Sequence, residues 1–248
     1  DFFYPRKVYI REGLLKDLEF PSNKFYYQRL EKRDLIFFIG EEQPSEAGRM
    51  YASGEKAYQM ANLVTDVGLE FGCQRVYTSG ACVSMIHHQT KPRVCAVITS
   101  EHLRREIETY DNTILMSGME ERGEGEGVIT GLNGLLLAIA KKRGMESICL
   151  MGEIPDWLSG APLPYPKASK SVLEVFSEIL GIQIDFSPLD QMEVQVEKII
   201  ESYYEKFDSE MKERYDQRKS FGVKPGTITV QAQIFIKEGG GEGGEKPT

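Results

Sequence analysis

Two adjacent histidines, His87 and His88, mark the place in the sequence where metal-ligating side chains could gather. Cys82, Cys95 and His102 lie nearby along the chain. Their spacing matches no zinc pattern, and adjacent residues of a regular element point to different sides, so a shared ion would need ligands from a distant segment. We therefore predict no metal site and expect both histidines at the surface or in a loop.

A glycine-rich stretch, residues 118–134, precedes a predicted helix, which is where backbone amides can cradle a phosphate group. Four glutamates there are opposed by one arginine; they are Glu120, Glu121, Glu124 and Glu126, with Arg122. A phosphate would meet repulsion, and the loop lacks the Lys and Ser/Thr of a phosphate-binding P-loop. The sequence therefore predicts a flexible acidic loop that binds no nucleotide.

Serine-based catalysis has no support from a motif, because neither Ser79 nor Ser84 stands in the G-x-S-x-G pattern of a nucleophile elbow. Spacing alone leaves a Ser-His-Asp arrangement open. We predict no catalytic residue, no cofactor and a protein that is not an enzyme.

The only tryptophan, Trp157, lies in a proline-rich loop after a predicted buried strand. Ligands of open α/β sheets bind at the carboxyl edge of the strands, so a substrate lid is one interpretation of this loop. Its prolines favour a rigid crossover instead. A third interpretation is that an exposed tryptophan anchors a protein partner.

The order of the predicted elements indicates an α/β fold with a Rossmann-like, wound and mostly parallel sheet flanked by helices. Strand-like segments occur at 7–10, 24–30 and 34–40, and a helix that Ser45 can cap ends near Phe71 or Gly72. RVYTSG, VCAVITS and TILMSG are further predicted strands. None of the predicted strand-to-helix turns carries the glycine fingerprint of a dinucleotide-binding Rossmann fold.

From Gly131 to Leu189 a helix, a buried strand and a second helix follow in strict order. Gly131, Gly134 and Ala138 recur three and four residues apart, so one face of the first helix can approach a sheet closely. The apolar run SICLM, residues 147–151, is typical of a strand that is covered on both faces.

This arrangement resembles the proteasome assembly chaperone family in its order of elements over about residues 5–200. The residues that carry the resemblance are Gly131, Asn133, Gly134, Leu135, Leu136, Gly152, Glu153, Tyr165 and Pro166. The resemblance implies an archaeal-type, non-enzymatic chaperone that binds proteasome α subunits or a related assembly chaperone homologue. Docking members of the family end in a hydrophobic residue, a tyrosine and one last residue. This chain ends in Lys246, Pro247 and Thr248, so we expect weak docking, or none, through its tail.

The C-terminal part is predicted to form one long helix over residues 189–215 and then a terminal strand. Apolar side chains recur there at intervals of three and four; they are Met192, Val196, Ile199, Tyr203, Phe207, Met211 and Tyr215. The predicted partner surface consists of Trp157, Tyr203, Phe207, Met211 and Tyr215. We expect a core domain at 1–188, the helix and strand at 189–237 packed on that core or on a neighbouring subunit, and a disordered glycine-rich tail at 238–248.

Composition limits the compartment and the partners. The chain has 248 residues and a net charge of −8, which disfavours a nucleic-acid surface. Its longest apolar run is shorter than the ~20 residues of a membrane span, and its four cysteines form no CxxC motif, which fits a reducing cytoplasm. We predict a homo-oligomeric protein-binding scaffold. Two alternatives stay open, namely a small-molecule or nucleotide-binding enzyme on the same fold and a structural oligomer that pairs only with a family member.

Overall fold

The computed structural model describes residues 3–47, 49, 51–116 and 128–217, and it describes the backbone of residues 225–238. The strands are β1 (Lys7–Arg11), β2 (Leu14–Glu19), β3 (Asn23–Arg29), β4 (Arg33–Gly40), β5 (Arg75–Ser84), β6 (Val94–Ile98), β7 (Thr113–Leu115), β8 (Glu146–Pro155) and β9 (Pro225–Glu238). The helices are α1 (Gly54–Glu70), α2 (Leu103–Ile107), α3 (Gly131–Lys142), α4 (Pro166–Leu180), α5 (Ser187–Tyr204) and α6 (Ser209–Asp216). Most of the predicted acidic loop and all of the tail beyond Glu238 lie outside the described residues.

A seven-stranded sheet in the order β3-β4-β9-β5-β8-β6-β7 forms the centre of the fold, and β1 and β2 form a separate hairpin. The predicted α/β class is confirmed. Parallel pairing is found for β5 with β8 and for β6 with β7, whereas the other neighbouring pairs of this sheet are antiparallel. The sheet is therefore mixed, and the expectation of a mostly parallel sheet holds only for those two pairs.

The position of β9 leaves this strand no open edge. It runs antiparallel to β4 on one side and antiparallel to β5 on the other. A strand from the C-terminal segment thus joins the N-terminal hairpin β3–β4 to the parallel β5–β8 pair. The open edges of the described sheet are consequently β3 and β7.

The two faces of the sheet carry separate cores because successive strand residues point to opposite sides. On β4, Ile36 and Phe38 pack under α1 and α3, and Leu35 packs on the other face with α4. Tyr77 on β5 lies in the core beneath α4, 5.6 Å from the ring of Phe176. The sheet is thus sandwiched between helices.

The first helix begins later than the sequence predicts, at Gly54 rather than next to Ser45. The backbone N–H of Ser53 donates to Pro44 O, and Ser53 Oγ accepts from the N–H of Glu46. These bonds tie Pro44 and Glu46 to Ser53, directly before the helix begins. The helix ends at Glu70 with Phe71 as its C-cap, close to the predicted end near Phe71 or Gly72.

The prediction of one helix over 189–215 is wrong, because α5 ends at Tyr204 and α6 begins at Ser209. Asp208 stands before α6 in extended conformation, and its carboxylate accepts from the N–H of Met211 at 2.8 Å. This is an N-cap, which starts a new helix. The break turns Tyr215 back onto the core.

In the described part of the chain no helix combines the length and the apolarity needed to cross a membrane. The four cysteines are buried free thiols.

Candidate functional site: an aromatic–histidine cluster under the C-terminal helices

His87 and His88 lie in a loop, as one half of the prediction has it, but they are buried and not at the surface. They follow β5 in a loop that α5 and α6 cover. The ring of His88 is parallel to that of Tyr215 at a centroid distance of 5.8 Å, and the ring of His87 lies 4.4 Å from the same tyrosine. The histidines therefore hold the C-terminal helices on the core.

We define the aromatic–histidine cluster as His87, His88, Trp157, Tyr204, Phe207 and Tyr215, whose rings contact one another. The hydroxyl of Tyr215 accepts a hydrogen bond from the backbone N–H of His88 at 2.6 Å. Buried polar atoms need such partners, and an unpaired one costs about 1–3 kcal/mol. The cluster thus combines ring packing with paired polar atoms.

Two carboxylates close the cluster on its solvent side. Asp216 Oδ1 lies 3.2 Å from His87 Nε2, and Glu201 Oε1 lies 2.9 Å from His88 Nε2. Partial burial acts to raise the pKa of Glu201, but hydrogen bonds from Gln89 and His88 outweigh it and lower that pKa. The hydrogen bond from Tyr204 to Asp216, together with burial, raises the pKa of Tyr204 to about 12.

Trp157 is half-buried in a short 3-10 turn, Asp156–Leu158, directly after β8. Its ring lies 5.2 Å from that of Phe207 in a near-perpendicular arrangement and 5.9 Å from that of Tyr215. Its Nε1 is buried and has no hydrogen-bond partner among the described residues. The proline-rich loop therefore lies beneath α5 and α6 and forms part of the surface on which they pack.

The residues of the predicted partner surface divide into two groups. Tyr215 is 3% exposed, and Phe207 and Trp157 are half-buried inside the cluster. Tyr203 and Met211 are 40% and 46% exposed and point away from it. Met192, Val194 and Ile199 are further exposed apolar residues of α5. The helices thus present apolar side chains outward while the cluster holds them from below.

Two of the three glycines that carry the family resemblance, Gly134 on α3 and Gly152 on β8, permit close backbone approach. A Cβ atom on Gly152 would lie 2.5 Å from the carbonyl oxygen of Ala168 in α4, and one on Gly134 would lie 2.5 Å from that of Ile129. Such distances are too short for any side chain. Gly131 has a φ of +77°, a conformation that favours glycine, at the start of α3.

The polar family residues are bound into the core. The fully buried carboxylate of Glu153 receives hydrogen bonds from the guanidinium of Arg93 at 2.7 and 3.0 Å. Asn133 Nδ2 donates to Ser79 O, and the hydroxyl of Tyr165 donates to His88 O. Pro166 opens α4, and Leu135 is partly buried under α1. These contacts are structural.

The residues considered as metal ligands do not converge. Cys82 and Cys95 lie in an apolar cluster with Leu137 and Met151, whereas His102 pairs with Glu146 elsewhere. The hydrogen bond with Cys95, followed by burial, raises the pKa of Cys82, which disfavours the thiolate that a metal binds. Within the described ranges no group of His, Cys, Asp and Glu is arranged to hold a metal ion. Of the serines considered for catalysis, Ser84 has a buried Oγ with no hydrogen-bond partner among the described residues.

Sequence reasoning missed Tyr204 and the burial of both histidines. Tyr204 stands one position off the apolar stripe, so periodicity assigns it to the polar side of a continuous helix. The useful signal is the run Met85, Ile86, His87, His88, because two apolar residues lead directly into the histidine pair.

The described residues define an α/β protein whose C-terminal helices present an outward apolar surface. Residues 1–203 match the model of the PAC2 family. The chain belongs to this family, and its predicted resemblance to proteasome assembly chaperones is confirmed. An uncharacterised protein of Methanocaldococcus jannaschii, MJ1210, is 32% identical over 210 residues, which are 84% of this chain and 71% of that protein.

Two solved structures are similar over most of the chain. PbaB of Pyrococcus furiosus, described as an archaeal proteasome activator, is 30% identical with a TM-score of 0.62, and the match covers 80% of this chain and 77% of PbaB. Rv2125 of Mycobacterium tuberculosis, described as a proteasome-assembly chaperone homologue, is 19% identical with a TM-score of 0.61. That match covers 85% of this chain and 79% of Rv2125.

Proposed function

We propose that this protein is a non-enzymatic, cytoplasmic, proteasome assembly chaperone-like scaffold that binds proteasome α subunits as a homo-oligomer. The observation that carries the proposal is the PAC2 match over residues 1–203, together with 30% identity to PbaB over 80% of the chain. The protein would act through surface complementarity, without chemistry at a pocket.

Helices α5 and α6 supply the proposed surface. Exposed aromatic and methionine side chains are enriched in protein interfaces, and Tyr203 and Met211 are of these types. The cluster beneath them holds the helices in place through ring contacts and hydrogen bonds, so binding would order few additional groups. A preorganised surface loses less free energy on binding than a mobile one.

The test is co-expression with the proteasome α subunit of the same organism, followed by measurement of complex mass and affinity. Interface anchors contribute about 1–2 kcal/mol or more each, so the double variant Tyr203→Ser and Met211→Ser should weaken binding at least about tenfold. Tyr58→Ser is a matched control, because Tyr58 is an exposed tyrosine on α1. Equal affinity of both variants, with unchanged melting temperatures, would refute this surface.

Activation of the assembled core particle is a second candidate, favoured by the description of PbaB. An activator should increase hydrolysis of a fluorogenic peptide by preassembled particles and leave the rate of α-ring formation unchanged. An assembly chaperone should accelerate ring formation and leave peptide hydrolysis unchanged. Measuring both rates with one protein preparation separates the two functions.

A further inference from the structure

Strand β3 is the long open edge of the sheet. It pairs with β4 in an unbroken register from Asn23 to Arg29 and contains no proline, and the described residues supply no backbone partner on its outer side. Tyr26 and Tyr27 are 50% and 52% exposed. Natural sheets commonly protect such an edge with prolines, bulges or a covering element. The opposite edge, β7, spans only Thr113–Leu115.

The direction of the backbone groups in β3 follows from its neighbours. Leu30 N–H donates to Arg33 O, and Glu41 N–H donates to Ser22 O, so even-numbered residues of this strand bond toward β4. Hydrogen-bonded and non-bonded positions alternate along an antiparallel pair. The N–H and C=O groups of Asn23, Phe25, Tyr27 and Arg29 therefore point to the open edge.

We propose that two copies of this chain pair antiparallel through β3, about a two-fold axis at Tyr26. In this register Asn23 meets Arg29 and Phe25 meets Tyr27, so every outward-pointing residue meets another. If one strand were shifted by one residue, backbone groups that point to the open edge would face residues whose groups point toward β4. A shift by two residues would restore the match but would leave fewer residues of the two strands paired. The proposal does not depend on binding to proteasome subunits.

The side chains match the same register. Phe25 faces Tyr27 of the other copy, Tyr26 faces its own equivalent, and Lys24 faces Gln28, so no like charges oppose each other. Aromatic cross-strand pairs stabilise antiparallel sheets, whereas like charges destabilise them. Phe25 already packs on Phe38 with ring centroids 5.0 Å apart, so the new aromatic pair extends an existing core face. This two-fold match is the reason that the partner is a second copy.

A cysteine cross-link tests the axis directly. At a non-hydrogen-bonded pair the two Cα atoms lie about 4.5 Å apart, within the range of a disulfide. Tyr26→Cys should therefore form a disulfide dimer on mild oxidation. Gln28→Cys is the matched control, because the two copies of residue 28 would be separated by about 13 Å or more along the strands. The native cysteines are buried, which limits the disulfides that they could form between two copies.

Sedimentation of Tyr27→Pro gives an independent measurement. Proline removes an outward N–H that β4 does not use, and losing the hydrogen bonds of this pair should weaken dimerisation about tenfold without lowering the melting temperature. Tyr27→Val keeps the N–H and should dimerise more tightly than Tyr27→Pro.

A strand interface of this size should give a dimer in the micromolar range. A wild-type chain that stays monomeric at about 100 μM overturns the proposal. A chain whose β3 backbone amides are protected from hydrogen exchange only when α subunits are added overturns it as well. Equal cross-linking of Tyr26→Cys and Gln28→Cys, or equal dimerisation of Tyr27→Pro and Tyr27→Val, also overturns it.

Discussion

The aromatic–histidine cluster and the N-terminal strands β1–β3 are both rich in large apolar side chains, but one region buries them and the other exposes them. In the hairpin, Val8 pairs with Leu18 and Ile10 with Leu15, so these residues share one face, and all are exposed. Tyr215, by contrast, lies against two buried histidines. Hydrophobic content alone therefore does not tell where a residue lies.

Polar partners explain part of the difference. Each imidazole of the cluster has a carboxylate within 3.2 Å of its Nε2, and the Tyr215 hydroxyl has a backbone N–H. The hairpin has an apolar face, and none of the described elements lies on top of it. An isolated two-stranded hairpin is only marginally stable in water.

The largest expected effect is that of Tyr215→Ala. Removing a buried aromatic ring and its hydrogen bond to the backbone of His88 should lower the free energy of unfolding by about 3–5 kcal/mol. Denaturant unfolding at sub-micromolar concentration measures it. Tyr26→Ala, on exposed β3, should cost less than about 1 kcal/mol under the same conditions. Similar losses in the two variants would contradict the contrast between the regions.

A smaller effect is expected for Glu201→Gln and depends on pH. The pKa of Glu201 is lowered in the folded protein, so the hydrogen bonds of its carboxylate with Gln89 and His88 stabilise the fold above the ordinary glutamate pKa. That stabilisation is lost as the pH falls through the lowered folded-state pKa. Because the side chain is 42% exposed, we expect less than about 1 kcal/mol at pH 7.

The measurement for Glu201 is the unfolding free energy of wild type minus variant from pH 7 to pH 3. Glu213→Gln, an exposed residue of α6, is the matched control. A difference that persists unchanged at the lowest pH would show that the carboxylate charge of Glu201 is not its source.

The smallest effect is expected for the double variant Ile10→Ser and Leu15→Ser in the hairpin. Both side chains are exposed, so the free energy of unfolding should change by less than about 0.5 kcal/mol. Binding of a fluorescent hydrophobic dye should fall, because part of the exposed apolar face is removed. A large loss of stability would mean that this face is covered in solution by the chain itself.

Local signals were sufficient for the segment that contains α3, β8 and α4. Three residues act within a few positions of the boundaries they set, namely Gly131 at the start of α3, Pro166 at the start of α4 and Gly181, with a φ of +64°, after α4. The short β2, LLKDLE, escaped prediction because it is exposed along most of its length and has no clear alternation.

Long-range packing set the rest. Periodicity places Tyr203, Phe207 and Tyr215 on one face of a continuous helix, but the Asp208 cap divides that helix and sends these residues in different directions. Likewise, the spacing of Ile234 and Ile236 predicts a half-buried strand without saying that it lies between β4 and β5. His88 and Tyr215 are 127 positions apart, so neither local propensity nor spacing could bring them together. A side-chain pattern reports which residues share a face, and only the tertiary contacts decide what covers it.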